Sequence, residues 1–357
     1  MSPNIASPPA RASARLPTPR GSAPAALAPM PRRPLPRWLA APMLLLALGF
    51  GLEAWRVSFG PNFAAIAPGR LYRSAQLKPT QLREAVRRFG IKTVINLRGH
   101  CPQDAWHRDE ADLLARMGVA MVDINFSSSM PPPVPELRKL IAALDAAEHP
   151  ILLHCRRGAD RTSIAAAFAL LLEPEASLAE GQNQLSLRYG HAPFGNVQIL
   201  DECFADYPAW LAERGAAHAP DRLRHWVMND YQPRHCWATI VPLEVPDRLV
   251  VGKWSTFRFR VENRSRLPWQ FKQAANAGIH LRLFVRDPVT KAFIATAGAG
   301  FFDQTVPPGG SLDLTVALAP LSQPGPVDLF VDLSDEQMCW FHMVGSPPWE
   351  KRLEVSR

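Results

Sequence analysis

The chain has 357 residues, 36 prolines, five cysteines and a formal net charge of +8. That length exceeds one small domain and allows about two, while five cysteines exclude a disulfide-dense miniprotein and leave an odd thiol. Arg11, Arg15, Arg20, Arg32, Arg33 and Arg37 place +6 of the +8 in residues 1–37, so the charge makes no case for a nucleic-acid-binding domain.

In chain order, residues 1–37 are rich in Pro, Ala, Arg and Ser and are expected to be a disordered tail, too poor in apolar side chains to offset ordering entropy. Trp38–Leu52 is an uncharged run of 15 residues. The segment 38–55 is expected to be a transmembrane signal anchor, short for a spanning helix of about 20 residues. The arginines before it favour a cytoplasmic N-terminus, a single pass through the inner (plasma) membrane and an exported remainder. A cleaved signal, or a buried helix in a cytoplasmic protein, are the alternatives.

Residues 56–220 alternate strand and helix patterns, which predicts an α/β domain with a mostly parallel central sheet flanked by helices. Strands are expected at Ile91–Leu97, Val119–Asn125 and Ile151–His154. Helices are expected at Trp106–Met117, Val134–Ala146 and Thr162–Leu172, and Ser177 with Glu180 forms a capping box. Residues 221–357 change to period-2 alternation. Ile279, Leu281, Leu283 and Val285 share one parity, as do Leu312, Leu314, Val316 and Leu318, and again Val327, Leu329, Val331 and Leu333. Such half-buried strands between Pro/Gly turns predict an all-β sandwich.

The chemistry is concentrated in His154-Cys155-Arg156-Arg157-Gly158-Ala159-Asp160-Arg161-Thr162. A buried strand fixes Cys155. The loop after it can turn its N–H groups inward as a nest for a tetrahedral oxyanion, and Gly158 permits the curvature. The following helix points its positive end at the same place. Arg161 supplies a planar fork for two phosphate oxygens. This positive field favours the Cys155 thiolate, a nucleophile for phosphoryl transfer.

The loop resembles the signature of the cysteine-dependent protein tyrosine phosphatases, particularly a dual-specificity-like bacterial member. Leu71-Tyr72-Arg73-Ser74-Ala75-Gln76 and Ile91-Lys92-Thr93-Val94-Ile95-Asn96-Leu97-Arg98 resemble the opening segments of such proteins. The resemblance implies a phosphocysteine on Cys155, with Arg161, Gly158, Ala159 and the loop amides around the phosphate. It implies that Thr162 assists departure of the thiolate and that His154 supports the loop. Arg156 and Arg157 would favour a substrate with several phosphates, such as an inositol phosphate or a lipid phosphate, beside phosphorylated proteins; alternatively they face solvent. Family members often take the general acid from the loop that here is Phe126–Pro133, which holds no Asp or Glu. Asp160 and Asp123 are the candidates. No cofactor is implied, and no His/Cys/Asp cluster has metal-ligand spacing along the sequence. A Cys101–Cys155 disulfide, as in some relatives, and a Cys236–Cys339 bridge are further possibilities.

The sandwich, with Val261-Glu262-Asn263-Arg264-Ser265 before Trp269 and Gly345-Ser346-Pro347-Pro348-Trp349 near its end, resembles immunoglobulin-like accessory domains of bacterial enzymes. A protein or glycan partner is the corresponding expectation. The competing reading of the whole chain is a catalytically weak phospho-binding adaptor.

Overall fold

The computed structural model describes residues 60–357 without a break and, before them, only Pro42, Gly49, Gly51 and Val57. The expected tail 1–37 and, apart from three of these positions, the expected anchor 38–55 lie outside the described residues. Among the described residues no helix is long and apolar enough to cross a membrane.

The first part runs β1 (Ala64–Ala67), β2 (Leu71–Ala75), α1 (Pro79–Phe89), β3 (Thr93–Asn96), α2 (Ala105–Met117), β4 (Ala120–Asp123), α3 (Val134–Ala146), β5 (Ile151–Cys155), α4 (Asp160–Leu171), α5 (Leu178–Gln182), α6 (Gln198–Glu213) and α7 (Pro220–His225). Its sheet has the order β1-β2-β5-β3-β4. Only β1 runs antiparallel to its neighbour, and β2, β5, β3 and β4 are mutually parallel. The mostly parallel sheet is therefore as expected. Strand β5 is buried along its whole length because both faces are covered. Leu152 joins Val94 against Leu82, Val86 and Leu113 of α1 and α2. Ile151 and Leu153 join Ile95 against Leu137, Ile141, Ile164 and Phe168 of α3 and α4.

Helices α1, α6 and α7 add to the helices expected from the sequence; β3 and β4 are shorter than their apolar runs, whereas β5 runs one residue further, to Cys155. Helix α4 opens at Asp160, two residues before the expected Thr162, so only four residues separate it from β5. The Ser177–Glu180 capping box opens α5 as anticipated. The first core extends through Leu223, Trp226 and Val227 to Tyr231, past the expected border at 220.

The second part contains β6 (Ala238–Glu244), β7 (Arg248–Val250), β8 (Ser255–Asn263), β9 (Trp269–Phe271), β10 (Ile279–Arg286), β11 (Phe293–Ala299), β12 (Gln304–Val306), β13 (Ser311–Leu318), β14 (Gly325–Asp335), β15 (Cys339–Trp340) and β16 (Trp349–Ser356). Strands β13-β8-β6 form one sheet, and β12-β9-β10-β14-β16-β7, with β11 and β15 alongside, form the other. Phe257, Phe259, Val261, Val316, Leu281, Leu283, Leu329 and Val331 fill one core between them. The predicted parities hold, because successive side chains of a strand face opposite ways; Leu312 alone of the named positions in β13 is only half-buried. Trp269 is buried in this core, so it offers no exposed aromatic face to a glycan. The two parts touch at the loop after β4. Met130 of that loop packs on the second core, and nearby Arg266 reaches Asp206 of α6 at 3.2 Å.

Candidate active site

Cys155 ends β5 and is buried, with 3% of its surface exposed. The four-residue turn Arg156–Ala159 carries the chain into α4. Gly158 has φ +68°, and a Cβ there would lie 2.5 Å from the Ala75 nitrogen and 2.6 Å from the Ser74 carbonyl. Both the backbone conformation and the close approach to β2 therefore demand glycine.

The loop carbonyls are all engaged on its outer side. Gln76 N–H donates to Arg156 O at 3.4 Å. The buried Asn62 amide donates to Arg157 O at 3.1 Å, Gly158 O at 3.2 Å and Tyr189 O at 2.9 Å. Arg73, fully buried on β2, donates to Gly158 O at 3.0 Å, Ala159 O at 3.5 Å and Ser163 Oγ at 2.8 Å. Its other nitrogen is held by Gln184, and its guanidinium stacks on Tyr189 at 3.9 Å. With the carbonyls pinned outward, the peptide planes turn their N–H groups to the concave side. None of the N–H groups of Arg156–Arg161 donates to a partner among the described residues. That is the arrangement a tetrahedral oxyanion requires. Ser163, in the first turn of α4, thus serves through its hydroxyl as an Arg73 partner.

Arg161 leans on the turns after β3 and β4, donating to Leu97 O at 3.5 Å and Phe126 O at 3.4 Å. Arg156 and Arg157 are exposed. The Thr162 hydroxyl is buried with no hydrogen-bond partner among the described residues. His154 Nε2 lies 3.0 Å from Glu110 Oε1, close enough for an ion pair though not aligned as a hydrogen bond. Burial alone would raise the Glu110 carboxyl, but His154 and the Gln76 amide hold it below its ordinary range. Arg98 bonds to the same Gln76 and stacks on Trp106 at 3.4 Å.

Asp160, the first residue of α4, does not stand alone. Its Oδ1 is 3.0 Å from Nδ1 of His191, whose Nε2 is 2.9 Å from Asp201 Oδ2. His191 is fully buried, whereas Asp160 keeps 26% of its side chain exposed. Burial would depress the His191 pKa, but the hydrogen bonds and charges of the two carboxylates outweigh it and raise it.

Asp123, the other acid candidate, ends β4 in a different setting. Its Oδ1 accepts from Asn96, and its Oδ2 meets His100 Nδ1 and His107 Nε2, each at 2.9 Å. Burial pushes its carboxyl up, and these three hydrogen bonds bring it below the usual range, so it stays ionised. The sequence shows no metal-ligand spacing, yet the fold gathers His100, His107 and Asp123 within 4.8 Å of one another. All five cysteines are free thiols. The Cys101 thiol turns to Arg98 O and is not joined to Cys155, and Cys236 and Cys339 lie side by side at 3.7 Å.

Sequence reasoning missed Asn62, Glu110 and His191. Arg73 was inside a quoted motif but without a role. No periodicity or local motif marks these residues, because their partners are distant in the chain.

The family described as DSP-PTPase phosphatase fused to NAD+ kinase matches residues 65–188. No curated protein matches the chain. Among solved structures, the core catalytic domain of the PP-IP phosphatase SIW14 from S. cerevisiae is 22% identical, with 43% of this chain and 92% of that chain covered and a TM-score of 0.33. TpbA of P. aeruginosa in complex with pTyr is also 22% identical, with 47% and 91% covered and a TM-score of 0.34. The Cys155 loop, its strand and the start of its helix all lie inside the matched span, so residues 65–188 are similar to the dual-specificity type of phosphatase domain.

Proposed function

We propose that the chain hydrolyses phosphate monoesters through a phosphocysteine on Cys155. The observation that carries this reading is the outward pinning of every loop carbonyl by Gln76, Asn62 and Arg73, which leaves the amides facing the nucleophile. In the first step the thiolate forms the S–P bond as the P–O bond to the leaving group breaks. The leaving oxygen takes a proton from Asp160. In the second step water attacks phosphorus, the S–P bond breaks and Asp160 recovers a proton from the water. Arg161 and the loop amides hold the equatorial oxygens in both steps, and the Thr162 hydroxyl donates to the departing sulfur.

Asp160 is the acid in this reading because it opens the helix directly after the Cys155 loop, whereas Asp123 ends a strand two positions away in the sheet. His191 stands behind Asp160 as its proton reserve and orienting partner, and Asp201 stabilises the imidazolium. Exposed Arg156 and Arg157 suit substrates that carry further phosphates, among them phosphoinositides and inositol phosphates, besides phosphotyrosine and phosphoserine. The second part serves as a scaffold that seats Met130 of the loop after β4.

The test is phosphate release from a panel of those substrate classes, with Cys155→Ser as the control and an acid quench to trap phosphate on Cys155. Turnover should fall by about 10⁴-fold or more in the variant. Unchanged turnover of Cys155→Ser on every substrate that the wild type cleaves would sink the reading. Binding of phosphorylated ligands without turnover by the wild type would favour the adaptor.

A further inference from the structure

We propose that His100, His107 and Asp123 form a binding site for a divalent transition-metal cation of the zinc, cobalt or nickel class. The inference is independent of the phosphatase reading.

The three ligand atoms come from three elements: the turn after β3, the first turn of α2 and the end of β4. His100 Nδ1 and His107 Nε2 both converge on Asp123 Oδ2 at 2.9 Å. Tetrahedral zinc with ligand bonds of about 2.0–2.1 Å sets its ligand atoms roughly 3.3 Å apart. The two imidazole–carboxylate separations therefore need to open by only a few tenths of an ångström, and the two ring nitrogens already lie within 4.8 Å of each other. His100 can supply that movement, since 70% of its side chain is exposed, whereas His107 and Asp123 are held.

The surroundings orient the ligands as supporting groups around metal sites do. Asn96 Nδ2 donates to Asp123 Oδ1 at 2.8 Å, which leaves Oδ2 for the imidazoles. The same amide nitrogen reaches Gly99 O at 3.0 Å, while Asn96 Oδ1 accepts from Arg98 N–H at 2.9 Å. The His107 ring is set edge-on between Trp106 and His100. Arg98, the neighbouring cation on this turn, is tied to Gln76 and Trp106 and not to the cluster.

Two imidazole nitrogens and one carboxylate oxygen select borderline transition metals over magnesium or calcium, which want oxygen alone. Three protein ligands leave at least one coordination position for water or an anionic group. The site lies at the same end of the sheet as the phosphate loop. Asp123 pairs in register with Asn96, and Asn96 with His154, so two strand spacings, about 10 Å, separate it from the loop.

The test uses the full chain without a histidine tag, stripped with chelator and dialysed against Zn²⁺, Co²⁺ or Mg²⁺. Metal per chain is measured by elemental analysis, and Co²⁺ coordination by its visible absorption. The expected result is one Zn²⁺ or Co²⁺ per chain, no retained Mg²⁺, and a cobalt spectrum that zinc abolishes. His107→Ala and Asp123→Asn should lose the metal. His100→Ala, an exposed change that leaves the core intact, should weaken binding at least tenfold. Equal uptake by wild type and His100→Ala, or no uptake by the wild type, would overturn the proposal. So would loss of binding in Cys101→Ser, which would assign the metal to a thiol.

Discussion

Around Cys155 the α/β part buries Asn62, Arg73, Asn96, Glu110, His154 and His191; between its sheets the second part buries Phe257, Phe259, Leu281, Leu283, Leu329 and Val331. A buried polar group costs free energy unless its partners are in place. In the α/β part those partners are loop carbonyls and carboxylates at the end of the sheet, so the cost goes into fixing directions. In the second part the buried polar groups tie loops and strand ends around the apolar core, as Asn263 does with Leu267 O and Val306 O and Ser346 with Ala238 N–H. The difference teaches where chemistry resides: an apolar core sets stability, and a satisfied polar core sets geometry.

The largest expected effect short of removing the nucleophile comes from Asp160→Asn. Turnover of alkyl phosphates should drop by about 10²–10⁴-fold, the usual contribution of a general acid. A p-nitrophenyl ester, whose leaving group needs no proton, should lose far less. Equal losses on both would show that Asp160 only shapes the loop. Arg73→Met removes the guanidinium that pins Gly158 O and Ala159 O, and should cost about 3 kcal/mol of stability by stranding buried acceptors. Its kcat should fall even well below the melting temperature; unchanged kcat would break the link between carbonyl pinning and catalysis.

Leu314→Ala sharpens the contrast from the other side. This buried β13 leucine should cost about 2–5 kcal/mol in denaturant unfolding, with kcat of the folded protein unchanged. A changed kcat would mean that the second part reaches the site through Met130. The smallest effect concerns pH. His191 has a raised pKa in the folded protein, so its contribution is fully present below about pH 6.5 and is lost as pH rises through the folded value. Melting temperatures of wild type and His191→Gln should therefore differ most at acid pH and converge above that range. A constant difference would remove the bridging imidazolium.

Much of the fold was legible because its signals are local. The run Ile151–His154, the Cys155–Arg161 loop and a helix after it lie within about twenty residues, and each rests on neighbouring positions. The parity of Ile279–Val285 and Leu314–Leu318 assigns a buried face directly. The extent of the first core to Tyr231 was not legible, since it depends on Trp226 and Tyr231 meeting α3 and α6. The distinction between Asp160 and Asp123 was equally hidden. Both are acids near a strand end, and only their partners separate them.

By itself the sequence determined the strand, the Cys155–Arg161 loop and its helix, and the two classes of secondary structure, because each is encoded in residues adjacent in the chain. Only the tertiary structure brought Asn62 to Gly158 and Tyr189, 96 and 127 positions away, Arg73 to Gly158 across 85, and His191 to Asp160 across 31. Directional bonds between distant residues leave no periodic trace in a sequence. They exist only once the sheet has placed its strand ends side by side.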